Sequence, residues 1–206
     1  MSKAEVTGET RTVILDAARR RLLVDGHRGL STRKVAEAAD VPLSQLHYYF
    51  GSKQGLLLSL LEEENRRLLD RQARMYAAGR PLWERYEQAC DFLEDDLDSG
   101  YVRVLQEMIA EGWANAAIGE AVRALVASWY DLLAEVAAEA EARFGALGPF
   151  TAREVATLIG NTFIGSEALI LLGFDRDRLP IRSALRRLGV LIRHLEEGAA
   201  GASART

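Results

Sequence analysis

Cysteine is all but missing from this chain: Cys90 is the only one in 206 residues, so no disulfide can close within it. Proline is scarce at four residues, and 17 glycines without a Gly-X-Y period cannot build a collagen-like rod. The first thirty residues lack the uninterrupted apolar core of an export signal, which together with the lone thiol sets the expectation of a reducing cytoplasm. No H-E-x-x-H, G-x-G-x-x-G, phosphate-loop or G-x-S-x-G pattern occurs. The three histidines, His27, His47 and His194, stand far apart, and Cys90 reads as a buried thiol. Neither an enzyme nor a metal or other cofactor is expected.

What is present is ordinary globular material, 49% hydrophobic and 27% charged, enough for one or two domains at roughly 150 residues each. The net charge of -4 is unevenly spread: residues 1–53 hold nine Lys/Arg against six Asp/Glu (+3), and the remainder 17 against 24 (-7). A basic head on an acidic body is drawn to a polyanion head first.

Helical periodicity dominates, and strand alternation is almost absent. Ile14, Ala17, Ala18 and Leu22 form one apolar stripe, ended by Asp25, Gly26 and Gly29. Ser31 caps a second helix whose Val35, Ala36 and Ala39 share a face. A break at Asp40-Val41-Pro42 opens a short third helix with Leu46 and Phe50 inward, and Ser52 caps a long fourth from about Lys53 to Tyr76. Gly79-Arg80-Pro81 precedes a helix over Trp83–Leu97, and Asp98-Ser99-Gly100 separates it from one over Tyr101–Glu111. Ile118, Val122, Leu125, Trp129, Leu132 and Val136 trace the next stripe. Thr151 and Glu154 have capping-box spacing.

Val155–Phe174 contains one charge, Glu167, and approaches the roughly 20 residues of a membrane span. Asn161, Thr162, Ser166 and Glu167 would be costly in lipid, so no membrane is expected and the segment reads as a helix apolar all round. The last helix starts near Pro180, with Ile181, Leu185, Leu188, Ile192 and Leu195 on one face. These two helices carry more apolar surface than one chain can cover, and a second copy is the simplest cover. The tail 198–206 is small and polar and is expected to be disordered.

Three short helices with a tight turn between the second and third are the arrangement of a helix-turn-helix. The segment Leu30–Lys53, LSTRKVAEAADVPLSQLHYYFGSK, resembles the N-terminal signature of the tetracycline-repressor (tetR) family of bacterial transcriptional regulators. The resemblance is strong over residues 10–60, and the helical remainder fits by architecture. Asp40 stands where the family usually has a turn glycine, Pro42 where it often has a capping serine, and His47 where it usually has a phosphate-binding tyrosine.

The resemblance implies an all-α fold of about nine helices: a DNA-binding domain over 1–53 joined to an effector-binding and dimerisation domain over 54–197. It implies a homodimer, formed through the two C-terminal helices, that binds double-stranded DNA at an inverted-repeat operator, most simply as a repressor released by a small hydrophobic effector. Base contacts would come from Arg33, Leu43, Ser44, Gln45 and Tyr48, and phosphate contacts from Thr32, His47, Tyr49 and Lys53. Tyr86, Phe92, Tyr101, Leu105, Met108, Trp113, Trp129, Asn161 and Phe163 are candidates for an effector pocket, with Glu107, Asn161 and Glu167 as polar groups that could orient its ligand. The alternative is a helical ligand-binding or interaction module whose head docks on protein.

Overall fold

The computed structural model describes residues 3–76, 79–145, 147–174 and 178–203. Among them are nine α-helices and no strand: α1 (Lys3–Gly29), α2 (Thr32–Ala38), α3 (Leu43–Phe50), α4 (Lys53–Tyr76), α5 (Leu82–Asp98), α6 (Tyr101–Gly112), α7 (Ala116–Phe144), α8 (Ala152–Leu171) and α9 (Ile181–Ser203). Contacts group them into two compact units, Met1–Arg67 with Gly100–Leu125, and Leu68–Ser99 with Val126–Thr206.

In the first unit the α1 stripe is buried as its spacing requires, Ile14, Ala17 and Ala18 completely. Leu56, Leu57, Leu60 and Leu61 of α4 are buried too, and Arg19–Glu64 (3.7 Å) and Arg67–Asp16 (3.9 Å) join α4 to α1. This is why the unit reaches Arg67, past the boundary expected after residue 53. Helix α6 adds Val102, Val104 and Met108 to the same core. The expected break at the end of α1 is a kink at Gly26 (φ 66°, ψ 173°), a conformation open to glycine and strained for other residues.

In the second unit α5 packs along α9, joined by Arg182–Glu94 (2.8 Å) and Arg186–Asp91 (2.7 Å). Arg71 of α4 pairs with Asp96 of α5 and lies over the Phe92 ring at 4.4 Å. Arg85 is buried and bidentate to Glu139 (2.7 and 2.9 Å), and it also donates to the carbonyls of Arg80 and Tyr76. Helix α8 starts on the expected capping box, the Thr151 hydroxyl accepting from Glu154 N and the Glu154 carboxylate from Thr151 N.

Three readings of the C-terminal half need correction. Beyond Leu125 the buried residues of α7 are Leu133 and Ala137, while Leu132 and Val136 are half-buried, Val136 sharing a cavity wall with Leu133 and Ala137. Leu195 is 63% exposed and off the buried face of α9. Helix α9 continues through Ser203, so most of the tail expected to be disordered is helical; residues 204–206 lie outside the described ones. Helix α8 alone among the described residues is long and apolar enough to cross a membrane. Leu158, Leu171, Leu172, Val190, Leu191 and Leu195 are exposed along and after α8 and on α9.

Replacing Arg85 by Met leaves Glu139 without its buried partner. Because Glu139 is itself partly exposed, the loss is about 2 kcal/mol at neutral pH, read from urea unfolding. The hydrogen bonds from Arg85 hold the Glu139 carboxyl below the usual glutamate value, so this contribution is complete above that value and fades as pH falls through the folded one. The stability gap between wild type and Arg85→Met therefore narrows below about pH 5.

Candidate nucleic-acid interface

Ser31 is extended (φ -135°), and its hydroxyl accepts from Lys34 N at 3.3 Å, starting α2. Val35 and Ala36 are buried, which turns Arg33 outward in the first turn with Thr32 half-buried beside it. Helix α2 ends at Ala38 with Ala39 as its C-cap, and Asp40 adopts φ 53°, the only positive φ at a non-glycine residue among those described. Its amide and that of Val41 bond back to the carbonyls of Glu37 (3.2 Å) and Ala36 (3.1 Å), closing the turn without a glycine. Pro42 (φ -57°) then offers its carbonyl to Gln45 N and Leu46 N, and α3 begins.

Leu46 and Phe50, four residues apart, are the buried side of α3. The opposite side carries exposed Ser44, His47 and Tyr48, with Leu43, Gln45 and Tyr49 half-buried at its flanks. Tyr48 is 81% exposed, and its ring meets Tyr49 edge-on at 5.2 Å. Tyr49 in turn packs on Phe50 (6.1 Å), and the Arg11 guanidinium lies 5.8 Å from the Phe50 ring. An α-helix about 10–12 Å across fits a major groove about 12 Å wide, and hydroxyl, amide and phenol groups on its outer side can meet base edges.

Two of the residues expected at phosphates, His47 and Lys53, have partners within the first unit. His47 Nδ1 lies 2.8 Å from the Gly51 carbonyl, which can only accept, so Nδ1 carries the proton. In the neutral ring Nε2 is then a bare acceptor, and His47 can donate to a phosphate only as imidazolium. Lys53 Nζ donates to the His27 carbonyl at 2.7 Å, which spends one of its three protons inside the unit. Arg33 has no partner among the described residues.

His27 is a junction that sequence reasoning missed. Its amide donates to Glu107 Oε2 of α6 at 2.5 Å, its Nδ1 lies 3.1 Å from Glu111 Oε2, and its carbonyl holds Lys53 of α4. Glu107, read as a group that could orient an effector, is thus occupied by the end of α1 and by Arg103 (3.2 Å). Lys34 adds a bond to the Gly29 carbonyl (3.1 Å) and lies 3.5 Å from Asp25. The signal in the sequence was the Glu107/Glu111 spacing of one helical turn.

The residues considered for an effector pocket are dispersed. Tyr101, Leu105 and Met108 are buried in the first unit, and Trp113, at the end of α6, is 84% exposed. In the second unit Tyr86, Phe163 and Trp129 form a ring cluster, with centroids 5.9 and 6.5 Å apart. Phe92 is half-buried under Arg71, and Asn161 is exposed and accepts from the Tyr130 hydroxyl (2.6 Å). A cavity of about 400 Å³ lies in that unit, walled chiefly by aliphatic residues such as Leu82, Leu133, Val136, Ile159 and Ile192, and Tyr86 is the one expected residue that lines it. Among the described residues no three His, Cys, Asp or Glu side chains gather as a metal site.

Comparison with known proteins gives three kinds of likeness. The model of the bacterial regulatory proteins of the tetR family matches residues 14–60, the span from α1 into α4 that frames the interface. An HTH-type transcriptional regulator from the dhlA 5' region of Xanthobacter autotrophicus is 35% identical over 129 residues, 61% of this chain and 62% of that protein, so the match spans less than two thirds of the relative's length. A crystal structure described as a tetR-family transcriptional regulator from Rhodococcus sp. superposes with a TM-score of 0.75 at 21% identity, covering 90% of this chain and 98% of the other. A transcriptional regulator from Saccharomonospora viridis, solved in complex with choline, gives 0.73 at 22% identity over 87% and 95%.

Glu107→Ala leaves the His27 amide without its acceptor. The expected result is roughly tenfold faster hydrogen exchange at that amide and about 1 kcal/mol lower stability, measured by exchange NMR and urea unfolding.

Proposed function

We propose that this chain, which belongs to the tetR family of bacterial regulatory proteins, is a cytoplasmic DNA-binding transcriptional regulator, acting as a homodimeric repressor on an inverted-repeat operator and released by a small hydrophobic effector. The observation that carries this reading is the outer side of α3: Ser44, His47 and Tyr48 stand exposed opposite buried Leu46 and Phe50, within the segment that matches the family. Tyr48, Ser44, Gln45, Leu43 and Arg33 take the base-edge roles. Thr32, Tyr49, Lys53 and protonated His47 take the phosphate roles.

Pairing of two copies is supported by the apolar side chains left in the open on α8 and α9, Leu158, Val190, Leu191 and Leu195 among them. Two-fold symmetry would set the two α3 helices about one DNA turn, roughly 34 Å, apart. The cavity of the second unit supports an effector site. Coupling of about 1–3 kcal/mol between that site and DNA is enough for a 5–150-fold release.

The test is a gel shift with palindromic duplexes from the host chromosome, repeated across salt. Wild type should lose affinity steeply as salt rises. Gln45→Ala should relax discrimination at one base pair, costing about 1–3 kcal/mol there. Lys53→Ala should weaken all duplexes alike and flatten the salt slope by about one unit. A salt-insensitive complex, or none, would favour a head that docks on protein.

Dimerisation has its own check. Leu191→Glu puts a charge on the exposed side of α9, and sedimentation should show monomers where wild type is dimeric, with operator affinity at least roughly tenfold lower.

A further inference from the structure

The cavity of the second unit says more about its ligand than that it is small. Its volume of about 400 Å³ equals that of about a dozen waters. Tyr76 and Tyr86 are the only lining residues with a polar side chain, and no Lys, Arg, Asp, Glu or His is among the described residues of its wall. Exposed Leu195 and the exposed glycines Gly145 and Gly148 border it, which gives it a mouth on the surface.

Two ions that neighbour the wall in sequence are already engaged. Arg85, next to Tyr86, is bound to Glu139 and to two backbone carbonyls. Glu196, next to Leu195, accepts from Trp83 N at 3.1 Å and lies 3.5 Å from Arg143. A charged ligand would give up its hydration there, and the described residues of the wall offer no counter-charge. Tyr86 differs: it is buried, and its hydroxyl has no hydrogen-bond partner among the described residues. Burial, with Cys90 and Tyr76 nearby, pushes the phenol above its ordinary value, so it stays a neutral O–H donor. Burial likewise pushes the Cys90 thiol up to about 11.

We infer that the ligand of this cavity is an electrically neutral, mainly apolar molecule carrying an oxygen or nitrogen acceptor for the Tyr86 hydroxyl. The inference rests on the reading of the chain as an effector-released regulator and adds the chemical class of the effector. It sets this chain apart from the structural neighbour solved with choline, a permanent cation.

Calorimetry on the full chain with 1-octanol, octanoate and octyltrimethylammonium tests it. 1-Octanol should bind at least roughly tenfold more tightly than either ion. Tyr86→Phe, which removes only the hydroxyl, should lower 1-octanol affinity about three- to tenfold. Ala140→Phe, which fills the cavity, should abolish that binding while the helical circular dichroism is kept. Preference for either ion, an unchanged affinity in Tyr86→Phe, or no binding of any of the three overturns the inference. A gel shift of the ligand-free chain runs alongside: loss of DNA binding there defeats the regulator reading, whereas failure confined to calorimetry defeats the ligand class alone.

Discussion

A helix of eight residues does not hold its shape in water by itself, so α3 depends on the burial of Leu46 and Phe50 in the first unit. Burying two such side chains contributes about 1.5–3 kcal/mol each, more than the roughly 1–2 kcal/mol that a left-handed Asp40 costs. That balance explains how the turn survives without glycine. The same two anchors fix the rotation of α3 about its axis. A slip of one residue would swing Tyr48 by about 100°, away from the side it shares with Ser44. The junction at His27 ties the end of α1 to α4 and α6 within the same unit.

The second unit joins its helices through paired charges. Its cations are paired across helices, Arg71 with Asp96, Arg182 with Glu94, Arg186 with Asp91 and Arg85 with Glu139, while the interior they frame is aliphatic. These pairs align α4, α5, α7 and α9. The apolar side chains left outside on α8 and α9 stay uncovered in a single chain, which is why a second copy enters the proposed function.

Local signals were the legible ones. Ser31, Ser52 and the Thr151/Glu154 box start helices where their hydroxyls predict, and Gly79–Pro81 and Ser99–Gly100 separate them. The inward side of α3 was legible in the spacing of Leu46 and Phe50, whereas its outward residues came from the family resemblance. What stayed hidden depends on pairing across long stretches of chain. Helix α6 belongs with the head because Val102, Val104 and Met108 are buried there, and no local pattern says so. The cavity was sought among aromatic residues, but Phe163 and Trp129 pack on each other; the space opens where small residues such as Ala137, Ala140 and Ala156 leave it.

The isolated thiol has an effect on the chemistry this protein can undergo. Peroxides and alkylating electrophiles attack the thiolate, and with Cys90 buried and its titration moved to about 11, that form amounts to on the order of one molecule in ten thousand at neutral pH. Thiolate chemistry therefore has little hold on Cys90 in the folded chain. Maleimide capture of this one sulfur becomes a clock for the moments when the second unit opens.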